Sequence, residues 1–173
     1  MYPIVYLKLT KKSKVIFETK EGIKILIRVN STDIMALTTV WLIEEYSKHN
    51  FKIKKMDTII DVGAHIGLFS LHASQISKNG KIYAFEPIKE NYNILKSNIQ
   101  LNNFSNIKAE NCAISNSSSK ITIYENDDES GHSKFIQTDN PIEVTSKSLN
   151  DIFDNKKIEK CNLLKLDCEG SEY

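Results

Sequence analysis

The segment Thr58 to Gly67, TIIDVGAHIG, constrains this chain more than any other. A β-branched run carrying Asp61 near its end turns through Gly63 and Gly67 into an amphipathic stretch, Leu68 to Ser77. After the turn pair Asn79-Gly80, a second β-rich run, Lys81 to Phe85, ends at another acid, Glu86, and then Pro87. Strand, glycine turn, helix and strand in that order imply a parallel pair joined by a right-handed crossover. Such a unit presents a helix N-terminus and two strand-end carboxylates at one edge, which is how open α/β sheets build a nucleoside pocket.

The alternation continues. Glu90 to Leu101 reads as a helix with Tyr92, Leu95 and Ile99 on one face, and Ile107 to Ala113 as a third strand. Leu163 to Leu166 is a further buried strand, running into Asp167-Cys168-Glu169-Gly170. The expected fold is therefore α/β, a Rossmann-like, doubly wound, mainly parallel sheet covered on both faces. Ahead of it, Lys14 to Phe17 and Ile23 to Val29 flank the turn pair Glu21-Gly22 and predict a hairpin. Ser31 and Asp33 can cap a helix running to about Lys48, with Ile34, Leu37, Trp41 and Leu42 at helical spacing and Trp41 in the core. Residues 115–140 are rich in Ser, Asn and Asp around a strand at Lys120 to Tyr124, which marks a substrate loop or a disordered insertion. Ile142 to Thr145 reads as a strand and Ser148 to Phe153 as the start of a short helix. We expect one structural domain, with residues 1–55 packing as a hairpin and helix on a core formed by residues 56–173.

Composition narrows the function. The chain has 173 residues and a formal net charge of +1, so no overall field recruits nucleic acid or an anionic membrane, and the local lysine runs read as solvated faces. Cys112, Cys161 and Cys168 have no metal-ligand or CxxC spacing, which predicts reduced thiols in the cytoplasm, with neither zinc nor disulfides. The N-terminus has no charged region or cleavage site of a leader peptide, and no apolar run approaches the roughly 20 residues that span a bilayer.

The glycine turn selects among nucleosides. Gly63, Ala64, His65 and Gly67 follow Asp61, whose carboxylate is expected to accept from loop amides. A dinucleotide fingerprint needs glycine at its first, third and sixth positions, and here the third is His65 and the sixth Leu68. A pyrophosphate would lose its close approach to the backbone. A nucleoside without phosphates, such as S-adenosylmethionine, does not need it. Glu86 is placed to accept both ribose hydroxyls, Pro87 fixes the chain direction after it, and the Asn111 side chain with the Cys112 backbone can meet the adenine edge.

These residues carry a resemblance. IIDVGAHIG, AFEP, SLNDIF and above all LLKLDCEGSE, with a hairpin followed by STDI and a helix ending in EEY, resemble the FkbM family of S-adenosylmethionine-dependent methyltransferases. The resemblance implies a class I methyltransferase fold and methyl transfer to a hydroxyl oxygen of a small molecule or saccharide. The position of His65 is often Asn in that family, and both residue types tolerate positive φ. The family's sheet continues past a fourth strand, so a chain ending at Tyr173 is expected to lack the last strands and to leave Leu163 to Asp167 as an apolar edge.

Methyl transfer to an alcohol needs in-line positioning and a base. Asp167 and Glu169, at the carboxyl end of the fourth strand, are the candidates: Asp167 for the methionyl part of the cofactor or for positioning, Glu169 for the acceptor hydroxyl. Both carboxylates can instead cap a following helix. His132 can reach the acceptor from the long loop, although an exposed loop histidine is the commoner role. His72 reads as a surface or packing residue, and no spacing points to a metal. Two further readings are a nicotinamide-dependent oxidoreductase and a non-catalytic nucleoside-binding module. The oligomeric state is not readable.

Overall fold

A computed structural model describes residues 13–29, 31–42, 52–125, 132–133 and 141–167. Four parallel strands form the central sheet: β3 (Thr58–Val62), β4 (Lys81–Phe85), β5 (Ile107–Glu110) and β10 (Leu163–Leu166), in the order β10-β3-β4-β5. β3 and β4 occupy the middle and read as nearly continuous apolar runs because both of their faces are covered. Alternation along each strand splits the core in two. Ile59, Ile82 and Ala84 face helices α2 (Leu68–Ile76) and α3 (Lys89–Leu101), whereas Ile60, Val62, Tyr83 and Phe85 face helix α4 (Leu149–Lys156) through Ile152. The expected doubly wound arrangement is what the chain adopts.

The hairpin forms as β1 (Lys14–Glu18) and β2 (Lys24–Arg28), paired antiparallel, and Gly22 at φ 81° makes its turn. Its place is set by α3. The Asn98 side chain accepts from the Leu26 amide at 2.7 Å and donates to the Leu26 carbonyl at 3.1 Å. Asn102, one turn later, does the same to Lys24 at 2.8 and 2.7 Å. Two asparagines at i, i+4 thus act as a surrogate strand for β2 and satisfy backbone groups that an edge would leave unpaired.

The helix expected from Ser31 to about Lys48 differs in form. It opens as a short turn of helix, α1 (Asp33–Leu37), and widens into a π-helical turn over Thr38–Leu42; its expected continuation lies outside the described residues. The cause is local: Thr38 and Thr39 turn their hydroxyls back onto the carbonyls of Ile34 and Met35 at 2.9 and 3.0 Å, in a β-branched run that crowds a regular helix. Ser31 does accept from the Asp33 amide at 3.2 Å, but the Asp33 side chain is not a cap, because an ion pair with Arg28 claims it. Trp41 packs against the core and meets His72 edge-on, ring centres 5.2 Å apart.

The third strand ends sooner than the sequence suggests. It breaks at Asn111-Cys112, and the chain resumes as β6 (Ala113–Ser115) in a second sheet with β7 (Lys120–Glu125), β8 (His132–Ser133) and β9 (Pro141–Ser148), in the order β6-β9-β7-β8. β9 is longer than Ile142 to Thr145 because it pairs on both sides, parallel to β6 and antiparallel to β7. Ser148 caps α4 by accepting from the Asp151 amide at 3.1 Å. Among the described residues no helix is long and apolar enough to cross a membrane.

Candidate functional site

The order β10-β3-β4-β5 places a topological switch point between β3 and β10, and open α/β sheets bind ligands at the carboxyl ends of such strands. The turn after β3 lies there. Gly63 and Ala64 both donate to the Phe85 carbonyl at 3.0 Å, which folds the turn across the end of β4. Three residues of the turn have positive φ: Gly63 at 72°, His65 at 53° and Gly67 at 90°. Gly67 caps α2 and admits no side chain, since a Cβ there would lie 2.3 Å from Leu95 Cδ1. His65 takes the left-handed region without glycine, as the sequence allowed.

Glu86 closes this turn from the side of β4. It is 4% exposed, and its carboxylate accepts from the His65 amide at 2.7 Å and the Ile88 amide at 2.9 Å. Burial raises its pKa to about 7, against the opposing pull of those two amides and the Asn91 side chain. With three of roughly four acceptor positions in use, the carboxylate retains capacity for one hydroxyl in this conformation, fewer than the two ribose contacts expected. Asn111 spends both amide hydrogens on the carbonyls of Glu86 and Pro87, at 2.8 and 2.7 Å. Cys112 is buried, and burial pushes its thiol up to about 11.

Asp61 differs from the expectation. It is fully buried, and its side chain accepts not from loop amides but from Ser70 Oγ at 2.7 Å and Lys165 Nζ at 3.1 Å. Side-chain alternation explains this: Asp61 points toward α2, where Ser70 lies, and is register partner to Lys165 on β10. Lys165 also reaches the Gly63 carbonyl and the Asp167 carboxylate, each at 3.3 Å, and lies 5.7 Å from the Phe69 ring centre. Asp167 is 56% exposed, and its amide donates to the Val62 carbonyl. Glu169 and Cys168 lie outside the described residues, as does the expected helix-capping role of Glu169. His132 falls on β8, opposite Glu125.

A second cluster was not foreseen. Arg28, the only arginine of the chain, binds Asp33 through Nε at 3.0 Å and a terminal nitrogen at 2.7 Å. The same terminal nitrogen reaches Asn91 Oδ1 at 2.8 Å and His65 Nε2 at 3.3 Å. Burial opposes the charge of Asp33, but the guanidinium, the Arg28 amide and His65 outweigh it and hold the carboxyl below its usual range. The hairpin is thereby fastened to the turn after β3. A third group, Glu110 at the end of β5, binds Lys147 Nζ at 2.6 Å and also Lys156. No group of three or more metal-ligating side chains occurs among the described residues.

The chain is similar to known methyltransferases. The profile described as the methyltransferase FkbM domain matches residues 61–173. "Methyltransferase 1" of Beauveria bassiana is 26% identical over 136 residues, covering 66% of this chain and 55% of the relative. "Methyltransferase sdnD" of Sordaria araneosa is 28% identical over 165 residues, covering 75% and 64%. The chain thus spans a little over half to nearly two thirds of these curated relatives. The crystal structure of an FkbM methyltransferase from Methylobacillus flagellatus superposes with a TM-score of 0.52 at 19% identity, covering 79% of this chain and 31% of that one. The fold is that of the Rossmann-like class I methyltransferases. A family match that begins at Asp61 and runs through the glycine turn, Glu86 and the fourth strand makes this chain a member of the FkbM methyltransferase family.

Proposed function

We propose that this chain is the cofactor-binding part of an S-adenosylmethionine-dependent methyltransferase that methylates a hydroxyl of a small molecule or saccharide. One observation carries the reading. Glu86, a buried carboxylate at the end of β4, is aimed by two backbone amides and bonded to a turn whose third position is His65 instead of glycine. That combination suits a ribose and disfavours a pyrophosphate.

The donor set fits this cofactor. Glu86 supplies an acceptor for a ribose hydroxyl, Asn111 Oδ1 and the Cys112 backbone lie at the end of β5 for a base, and Asp167 lies beyond the end of β10 for the methionyl part. Asp61, Gly63, Ala64, Gly67 and Pro87 shape the turn around it. When bound, S-adenosylmethionine supplies a methyl group activated by the sulfonium. The chain's own task is to hold the acceptor oxygen in line with that methyl, an effect that can be worth roughly 7 to 11 kcal/mol. A base near the acceptor hydroxyl adds about 10² to 10⁴ in rate, and Glu169 is the first candidate, with Asp167 and His132 behind it.

Calorimetric titration with S-adenosylmethionine and with NAD, followed by labelled-methyl transfer to a panel of alcohols and glycosides, tests the reading. We expect S-adenosylmethionine binding, no NAD binding, and a Glu169→Ala variant that keeps the cofactor and loses turnover. Preferential NAD binding overturns the cofactor assignment. Cofactor binding with no transfer to any hydroxyl overturns the activity and leaves a binding module.

A further inference from the structure

We propose that Arg28, at the end of the hairpin, is a positioning residue: acting through Asn91 and His65, it sets the direction in which the Glu86 carboxylate faces its ligand. The inference rests on the reading that Glu86 accepts a ribose hydroxyl. Arg28 closes β2 and is the one arginine in a lysine-rich chain. Its partner Asp33 is a near neighbour in sequence, so that ion pair stays within the hairpin and α1. The contacts that matter for Glu86 are the two that Arg28 sends across to the core, to Asn91 and His65.

Both contacts end on a group that also holds Glu86. A guanidinium only donates, so the terminal nitrogen 2.8 Å from Asn91 Oδ1 dictates which way that amide is turned. The Asn91 nitrogen is thereby left to donate to the Glu86 carboxylate. Asn91 is buried in the first turn of α3, where a reversed amide would put its nitrogen against the guanidinium. The second path is the His65 ring, 3.3 Å from the same nitrogen and 3.4 Å from Asp33 Oδ1, while the His65 amide donates to Glu86 Oε2 at 2.7 Å. Of the donors that aim Glu86, only the Ile88 amide, on Oε1 at 2.9 Å, comes from a residue that Arg28 does not contact. Arg28 is itself fixed: fully buried Asp33 accepts from its Nε at 3.0 Å, its terminal nitrogen at 2.7 Å and its amide at 2.8 Å. A planar fork spans Asp33 and Asn91 together, which the single ammonium of a lysine does not. Glu90, at 3.6 Å and exposed, adds a surface ion pair of little weight. A site is only as precise as the groups that hold its contacting atoms, and here one such group lies on the hairpin.

The test is calorimetric titration with S-adenosylhomocysteine and with its 2′,3′-dideoxy counterpart, whose sugar offers Glu86 no hydroxyl. Wild type is expected to bind the first at least about tenfold more tightly, as a hydrogen bond to a charged group allows. Arg28→Met should remove most of that preference by weakening S-adenosylhomocysteine alone. Arg28→Met combined with Asp33→Asn leaves no unpaired buried charge and should show the same loss, even if the single variant fails to fold. Asn102→Ala, which loosens the opposite end of β2 without touching Arg28, should keep the full preference. An unchanged preference in the folded Arg28 variants overturns the inference while the cofactor assignment stands. Parallel weakening of both ligands also overturns it, since Arg28 would then only brace the fold, and so does an equal loss of preference in Asn102→Ala. Equal binding of the two ligands by wild type overturns the ribose role of Glu86 and the inference with it. Binding of neither by wild type overturns the cofactor reading itself.

Discussion

The Glu86 carboxylate accepts the backbone amide of His65 at 2.7 Å, tying the end of β4 to the turn that follows β3. His65 is held at both ends, its amide by Glu86 and its ring beside Arg28 and Asp33. The left-handed turn residue is therefore the point where the hairpin, the glycine turn and the second strand-end acid meet.

The buried state of Glu86 makes a prediction about pH. Its pKa is about 7 in the fold and close to 4.5 when unfolded, so the native state binds the proton more tightly. Stability should fall as pH rises from about 4.5 to about 7 and then level, the reverse of an ordinary paired carboxylate. Urea denaturation of wild type and Glu86→Gln across that range measures it. Equal slopes in the two proteins would contradict the assignment.

Asp33 predicts the opposite sign at lower pH. Its carboxyl is held below the usual range, so its contribution is present above the unfolded value and lost as pH falls through the folded one. Asp33→Ala leaves a half-buried guanidinium short of its main partner and should cost about 3 kcal/mol at neutral pH. The difference from wild type should shrink below about pH 4. Chemical denaturation at pH 7 and pH 3 provides the comparison.

How much of this was legible depended on where each residue's partners lie. β3 and β4 were readable because strands covered on both faces become short apolar runs bounded by turns. β10 was readable from the same kind of run, but it is not the buried strand expected, since as an edge strand it leaves Leu164 and Leu166 exposed. The break at Asn111-Cys112 was not, because apolar residues continue through Ala113 and Ile114 while the chain changes sheets. Arg28 and Asp33 lie five residues apart, but the Asn91 and His65 that complete their cluster are 63 and 37 positions from Arg28. A single arginine among many lysines was the one available signal. Lys165 was not singled out from the sequence, because its partner Asp61 lies 104 positions away and is brought beside it only by the strand order.

The asparagines of α3 carry a third prediction. Asn98 is fully buried and joins Leu26 of the hairpin to the Ile66 carbonyl of the turn, the latter at 2.9 Å. Asn98→Ala orphans several backbone groups, at about 1 to 3 kcal/mol for each left unsatisfied. Asn102→Ala, whose bonds to Lys24 are exposed, should cost less. Hydrogen exchange should report faster opening of β2 in the first variant than in the second. Equal protection in both would contradict the surrogate-strand role.

Gly67 yields a fourth. Its φ of 90°, and the 2.3 Å that would separate an added Cβ from Leu95 Cδ1, leave no relaxed geometry for alanine. Gly67→Ala should lower stability by about 2 kcal/mol or more, read from the denaturation midpoint. Gly22, also at positive φ but with nothing within 4 Å of a Cβ, should tolerate alanine better.

The most direct test of the central claim is the dissociation constant of S-adenosylmethionine for wild type and for Glu86→Ala, measured by titration on protein whose fold has been verified by circular dichroism. The proposed ribose-accepting role of Glu86 predicts binding by wild type and its loss in Glu86→Ala. Unchanged affinity in a folded Glu86→Ala variant would contradict it.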